Sequence, residues 1–337
     1  MLKVNFAEIK RKELATAKLK KMTLDAVHAH QLFDAKSMSN LTHGLNEETR
    51  SQLLRLDESG PLRRLMIVPD DYLAKCRELE DRFPNFSGYI NDYLLPSLAL
   101  AHVRKASLQL QPTVFVGSPG VGKTLFVSAL AEMFYLDFER VNLETAQASM
   151  ELVGTARGWS NAQPGMLFRW LVRSEFANGI CVLEELDKAD DKNARNPIVY
   201  SLLQLLEPTT SRTFCDLSIP DLKLDLSKIN FLFTANTLDG LPPAVLSRVM
   251  TFEVPDLTPS QAKNVAVRQY EDMVKDLKLP TGAPILTQEG LTLLSSESPR
   301  RQRLLLQLAI GCAVYKQSKE LVIQKANKPK KGIGFVI

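Results

Sequence analysis

An α/β fold is predicted by three observations: a mostly parallel sheet flanked by helices, followed by a small all-α lobe and preceded by a helical extension. The run Gly117-Ser118-Pro119-Gly120-Val121-Gly122-Lys123-Thr124 fits the pattern G-x-x-x-x-G-K-[ST]. A later apolar run, Ile180-Cys181-Val182-Leu183, ends in Glu184 and Glu185, as a buried strand does when it delivers carboxylates to its carboxyl end. Between Thr113 and Val254 short apolar runs alternate with helical segments, the pattern of a parallel sheet with covering helices.

Taken in order, the elements begin with charged, helix-favouring stretches at Phe6 to Leu24 and Glu47 to Leu56, separated by the polar segment Ser39 to Gly44. Pro69-Asp70-Asp71 reads as a helix start, with Tyr72, Cys76, Leu79 and Phe83 along one face and Pro84 as the stop. A helix over Ser87 to Lys105 leads into a strand at Thr113 to Val116, and an amphipathic helix over Leu125 to Phe134 follows the glycine-rich run. Further strands are expected at Phe138 to Leu143, Ile180 to Leu183, Ile229 to Thr234 and Met250 to Val254. Beyond Pro255 the pattern is helical: Pro259 to Leu277, Thr287 to Ser295 and Arg300 to Lys319. The expected division is a helical extension over 1–75, a large α/β domain over 76–256 and a helical lid with a basic tail over 257–337.

Composition narrows the functional classes. The formal charge of +4 is unevenly spread: residues 1–21 hold seven Lys/Arg against two Glu, and residues 316–337 hold six Lys against Glu320. The middle of the chain is therefore acidic, which argues against a surface that coats nucleic acid broadly, although either end suits phosphate or an acidic protein. Cys76, Cys181, Cys215 and Cys312 form no C-x-x-C pair, so neither a zinc site nor a disulfide framework is expected, and a reducing, cytoplasmic setting is. No apolar run approaches the about twenty residues that span a bilayer, and the four histidines lack partners at ligand spacing.

The chemistry of the two motifs is specific. Glycines let backbone N–H groups wrap phosphates, Lys123 reaches the β and γ oxygens, and the Thr124 hydroxyl suits Mg²⁺. Glu185 is the carboxylate expected to polarise an attacking water, and Glu184 the one to support the metal. Asn236 follows the strand ending at Thr234 and is placed to hydrogen-bond a γ-phosphate or the water. Arg248 and Arg300 are two cations suited to stabilising charge on a transferred phosphoryl group. Spacing puts adenine contacts near Phe86 to Ile90, with Tyr89 and Ile90 as the residues chosen. Trp159 lies among Gly154, Gly158, Ser160, Asn161, Pro164 and Gly165, in a segment too irregular for helix or strand, where a large aromatic is either a core plug or an exposed handle. Trp170, on the helical stretch Met166 to Val172, reads as core.

From Leu110 to Leu257 the chain resembles the AAA+ module of Lon-type ATP-dependent proteases. The resemblance rests on the phosphate loop, on NGICVLEELDKADD at Asn178 to Asp191, on GTARGWSNAQPG at Gly154 to Gly165, on Ser201 to Asn236, and on LDGLPPAVLSRV at Leu238 to Val249. It implies that Lys123 and Thr124 bind phosphate and Mg²⁺, Glu185 activates water, Asn236 is sensor 1, and Arg248 is a finger reaching a neighbouring subunit's ATP. It further implies that Arg300, in SPRRQR, is sensor 2 of the lid, and that Trp159 with Ser160 forms a pore loop that grips unfolded polypeptide. Two departures stand out: Glu184 occupies a position where Asp is usual, and Trp159-Ser160 replaces a smaller aromatic and an aliphatic residue. After the lid the 337 residues leave no stretch for a serine–lysine protease domain, so an ATPase without intrinsic protease activity is expected.

The resemblance thus implies an ATP- and Mg²⁺-dependent ATPase that forms a homo-oligomeric, hexameric ring and remodels or threads a protein client, with no membrane partner. The alternatives are a nucleic-acid loader that uses the basic termini and an ATP-controlled assembly switch.

Overall fold

The computed structural model describes residues 28–41, 45–144, 148–159, 162–189, 198–278 and 282–324. It divides into two compact units. The first takes the described residues up to Leu79, together with Gly88–Gly117 and Lys123–Glu253. The second takes Glu80–Ser87, Ser118–Gly122 and the described residues from Val254 onward. The stretch Phe6 to Leu24 and the lysine-rich tail lie outside the described residues, as does Ser160.

The first unit is built on five parallel strands: β1 (Thr113–Val116), β2 (Phe138–Asn142), β3 (Ile180–Glu184), β4 (Asn230–Ala235) and β5 (Met250–Glu253). Their spatial order is β2-β3-β4-β1-β5. Burial explains why the sequence shows these strands so clearly. β3 and β4 are interior and covered on both faces, so Ile180–Leu183 and the whole of β4 are apolar or fully packed. β5, at one edge, alternates half-buried with exposed positions. Helix α1 (Lys123–Met133) starts directly after the glycine-rich loop and packs Phe126, Val127, Leu130 and Ala131 toward β3 and β4. Helix α2 (Met166–Arg173) buries Met166, Leu167, Phe168, Trp170 and Leu171, so Trp170 is a core residue as expected.

The helical extension expected over 1–75 is, where described, a mixture of helix and strand. A helix does form over Glu47–Glu58, capped by the Asn46 side chain, which accepts from the Thr49 N–H at 2.8 Å. Beside it, however, Ala29–Gln31 pairs antiparallel with Leu62–Arg64. Strands of three residues carry too few positions to show a period of two. Leu32, Phe33, Met38, Leu41, Leu53 and Leu56 join the same apolar core as β3 and α2, so this segment is continuous with the sheet's packing.

The helix expected over Ser87 to Lys105 is interrupted. A helical turn at Ser87–Tyr89 passes into a π-turn at Ile90–Leu94 before the α-helix Leu95–Val103. Pro96 supplies the reason: without an N–H it removes a helical hydrogen bond, and the Leu95 N–H bonds Ile90 O instead.

The second unit has its own core, formed by helices α3 (Pro259–Leu277), α4 (Gln288–Leu294) and α5 (Pro299–Lys316). α3 opens with a reciprocal cap between Thr258 and Gln261. Buried Gln302 donates to Ala262 O at 3.0 Å and to Leu294 O at 2.9 Å, tying the three helices together. The all-α expectation needs one amendment, a short parallel pair between Ile285–Leu286 and Glu320–Leu321. Among the described residues no helix is long and apolar enough to cross a membrane.

Two buried asparagines brace the first unit. Asn178 accepts from the Met66 N–H at 2.8 Å and donates to Met66 O at 2.8 Å and Leu108 O at 2.9 Å, while Asn230 donates to Asn178 O at 2.8 Å. Asn178→Ala takes the side-chain partner from the buried Met66 N–H and Leu108 O, while Met66 O keeps the Leu108 N–H at 2.8 Å, so a loss of about 2–4 kcal/mol of stability is expected, measurable as a lower urea midpoint at an unchanged slope.

Candidate functional site

The site is assembled where β1, β3 and β4 end. β1 pairs with β4 so that Val116 lies opposite Ala235, and the Gly117 N–H donates to Ala235 O at 3.3 Å. The glycine-rich loop and Asn236 therefore leave the sheet side by side. Lys123, the first residue of α1, donates from Nζ to Gly117 O at 2.6 Å and to Asn236 Oδ1 at 3.2 Å. Burial lowers the Lys123 pKa, and the carboxylates of Asp187 and Glu185 pull it back up. Lys123 and Asn236, expected to act on the same phosphate, are thus in contact.

Thr124, one residue on, donates its hydroxyl to Glu184 Oε1 at 2.5 Å, and the other Glu184 oxygen lies 3.1 Å from Arg140 Nε. Glu184 ends β3, while Arg140 sits on the neighbouring strand β2. Glu185 does not continue the strand. Its backbone is left-handed, φ 60° and ψ 47°, and its N–H donates to Thr234 Oγ1 at 3.3 Å. Such a conformation in a non-glycine residue costs of order 1 kcal/mol or more and clusters at functional sites. It turns the side chain toward Lys188, whose Nζ lies 2.8 Å from Glu185 Oε2 and 3.2 Å from Glu144 Oε1. Hydrogen bonds to these two carboxylates hold Lys188 above the usual lysine range.

The remaining loop residues, Ser118–Gly122, belong to the second unit. Ser118 and Pro119 are exposed and Val121 is buried. Gly120 has φ +85°, and a Cβ there would lie 3.3 Å from Ser298 Oγ and 3.4 Å from Arg300 Cβ. Arg300 thus begins its side chain against the phosphate loop. Gly122, at φ +104°, also requires glycine.

Three expectations fare differently. Tyr89 and Ile90, chosen as adenine contacts, are at 1% and 0% exposure; Tyr89 packs edge-on to Phe115, Phe126 and Phe252. They are core side chains. Within the second unit the Asn85 side chain hydrogen-bonds the loop, donating to Val121 O at 3.2 Å and to Pro255 O at 3.3 Å. Arg248 lies back on its own chain, with Nε 3.3 Å from Glu207 Oε2 and a further bond to Ala244 O at 2.9 Å. Trp159 stands 57% exposed on its loop. Lys188 is visible in the sequence only as part of the acidic motif at Asn178 to Asp191, and Arg140 and Asn85 are not visible at all, because a charged residue on an edge strand and an asparagine beside a turn carry no distinguishing pattern.

Residues 113–256 match the family described as ATPase family associated with various cellular activities (AAA). This stretch is an AAA ATPase domain. The peroxisomal Lon protease homolog 2 of Oryza sativa subsp. indica is 34% identical over 156 residues, which is 46% of this chain and 17% of that protein. The Lon protease of Nitrosococcus oceani is 36% identical over 154 residues, 46% of this chain and 20% of that protein. The matched part of the chain therefore spans about a fifth or less of these relatives. A chain in a closed-state reconstruction of Hsp104 with ATPγS and FITC casein shares the fold, with a TM-score of 0.59 at 15% identity, covering 75% of this chain and 49% of that one.

The AAA domain's residues fit Mg²⁺. Thr124 and Glu184 bring two hard oxygens together next to the phosphate loop, and among the described residues no cluster of three or more His, Cys, Asp or Glu forms a metal cage. Mg²⁺ retains waters and takes few protein ligands when phosphates complete its shell, so a two-oxygen site suits it. Glu184→Ala removes one of these oxygens. The Mg²⁺ concentration for half-maximal binding of a fluorescent ATP analogue is expected to rise by roughly tenfold or more, as read by titration at fixed nucleotide.

Proposed function

We propose that this protein is a Mg²⁺-dependent ATP hydrolase that works as a hexameric homo-oligomeric ring and remodels or threads a protein client through a central pore lined by Trp159. The observation that carries the reading is the meeting of Lys123 with Asn236 beside the paired oxygens of Thr124 and Glu184. A lysine, an amide and a metal-directed carboxylate at one strand-end cluster suit phosphoryl transfer, which needs positioning and charge stabilisation more than covalent chemistry.

Each side chain has a distinct part. Lys123 withdraws charge from the transferred phosphoryl group. Asn236 accepts from Lys123 through Oδ1, which leaves its amide N–H to donate to phosphate or water. Glu185 accepts the proton of the attacking water after parting from Lys188, an exposed pair that solvent screening keeps weak. Arg300 starts its side chain against Gly120, and its guanidinium is the cation assigned to the phosphoryl charge. Mg²⁺, when bound, neutralises phosphate charge and is held by Thr124 and Glu184. Arg248 leaves its half-exposed partner Glu207 to meet the ATP of the adjacent subunit.

The client-handling part rests on Trp159. An indole that stands free in a loop whose ends are fixed is costly to leave in water and suited to gripping side chains of an unfolded polypeptide. Four cysteines with no C-x-x-C spacing between them fit a reducing, cytoplasmic setting.

The test is turnover of purified protein with and without unfolded polypeptide or DNA. Stimulation by unfolded polypeptide, lost in Trp159→Ala while basal turnover stays, supports the reading; stimulation by DNA with a steep salt dependence would replace it with a loader. Glu185→Gln is expected to lower kcat by about 10²- to 10⁴-fold while ATP stays bound and holds the ring together, checked by single-turnover kinetics and sizing in ATP. Lys123→Met loses charge-assisted bonds of about 1.5–3 kcal/mol, so binding of a fluorescent ATP analogue should weaken by roughly 10- to 150-fold in direct titration.

A further inference from the structure

The loop that carries Trp159 is anchored by a buried carboxylate outside the nucleotide site. Asp216 is 1% exposed. Its Oδ2 accepts from the Gly165 N–H at 2.7 Å, and its Oδ1 accepts from the Ser218 N–H at 2.9 Å and the Ser218 hydroxyl at 2.7 Å. The two ends of the loop meet at this carboxylate. A Cβ on Gly154, whose φ is +87°, would lie 2.3 Å from Asp216 Oδ1, and one on Gly165 would lie 2.4 Å from Gly154 N. Both glycines are thus required for the chain to cross itself against the Asp216 side chain. Burial pushes the Asp216 carboxyl above its ordinary range, and the bonds from Ser218 and Gly165 pull it back.

The segment that contains Asp216 is itself fixed. Phe214 and Leu224 exchange backbone hydrogen bonds at 3.1 and 2.8 Å, and Phe214, Ile219, Leu222 and Leu224 are buried in the main core. Further bonds tie it to the loop: the Leu217 N–H donates to Val153 O at 2.9 Å, the Arg157 N–H donates to Leu217 O at 3.2 Å, and Arg157 pairs with Asp221 at 3.1 Å. The same segment continues into β4, whose end carries Asn236 beside Lys123.

We infer that Asp216 is the positioning residue of the Trp159 loop, pinning its two ends to segment 214–226 so that the indole moves with the strand leading to Asn236 and not independently of it. The loop's importance rests on the proposed handling of a polypeptide by Trp159, but the pin itself is a statement about this chain alone. A pinned loop holds its tryptophan at a fixed place; an unpinned one lets it swing and transmits no displacement.

The experiment uses the full chain in the Trp170→Phe background, which leaves Trp159 as its one tryptophan. Steady-state anisotropy and acrylamide quenching of Trp159 are measured without ATP or client, alongside the urea midpoint and binding of a fluorescent ATP analogue. Asp216→Asn replaces an acceptor oxygen by a donor group. The expected result is lower anisotropy and stronger quenching with analogue binding retained, and loss of polypeptide-stimulated turnover where the parent shows it. Ser218→Ala, which removes one bond and keeps the carboxylate, is expected to give a smaller shift of the same sign and serves as the readout if Asp216→Asn does not fold. Unchanged anisotropy in a folded variant overturns the inference, as does loss of analogue binding in step with the loop signal. Because this readout needs neither nucleotide nor client, it stands or falls separately from the ring proposal.

Discussion

The register between β1 and β4 is the constraint on which the site is built. Val116 lies opposite Ala235, and this brings Gly117 and Asn236 out of the sheet as neighbours. Lys123 then closes the loop by returning its ammonium to the Gly117 carbonyl and to Asn236. A slip of one residue would invert every side chain of β4, forcing Phe231 and Phe233 into the space packed around Leu232 on the opposite face and carrying Asn236 away from the lysine. Packing of both sheet faces forbids that slip, since the flanking strand residues are buried on each side. The requirement for a dry core and the requirement for a correctly placed amide are therefore met by one set of backbone pairings.

Around that frame the charges are arranged in compensated groups. Glu184 has Arg140, Glu185 has Lys188, and Lys188 is shared with Glu144. Isolated charges at a partly buried strand end would be costly, and half-exposed partners reduce the cost without locking the groups. Two features remain locally unfavourable: the left-handed backbone of Glu185 and the buried Asp187 Oδ1, which accepts no hydrogen bond from the described residues. Both lie within a few residues of one another. Local rules are broken in the turn to which the proposed function assigns the water-polarising carboxylate, the kind of place where strain and unsatisfied polarity concentrate.

How much of this the sequence disclosed follows from what each element needs. β3 and β4 were legible because a strand buried on both faces must be a continuous apolar run, and the phosphate loop was legible because φ values of +85° and +104° at Gly120 and Gly122 demand glycine. The strands Ala29–Gln31 and Leu62–Arg64 were not, because they are too short to show a period and depend on a partner thirty-odd residues away. Tyr89 and Ile90 misled for a different reason: an aromatic–aliphatic pair upstream of a strand is equally consistent with lining a base or filling a core, and only the surrounding Phe115, Phe126 and Phe252 decide it. Arg140 and Asp216 were silent because their roles depend on cross-chain geometry, not on spacing. The handle reading of Trp159 came from the resemblance; residue type alone favoured burial.

The glutamate at position 184 gains a physical rationale from its neighbours. Its two oxygens address two partners at once, the Thr124 hydroxyl on α1 and the Arg140 guanidinium on β2. An aspartate at the same backbone position would fall short by one carbon–carbon bond, about 1.5 Å, and from the end of β3 would have to give up one of them. The longer acid and the arginine are thus a matched pair: the extra methylene supplies the reach, and the arginine holds the far oxygen so that the near one keeps facing Thr124. Residue 184 is 12% exposed at its side chain and Arg140 is 64% exposed, so water can compete for the arginine but hardly for the carboxylate. The pair therefore orients the acid more than it neutralises it, which is compatible with a metal-directed role and explains why a departure in residue size need not be a departure in chemistry.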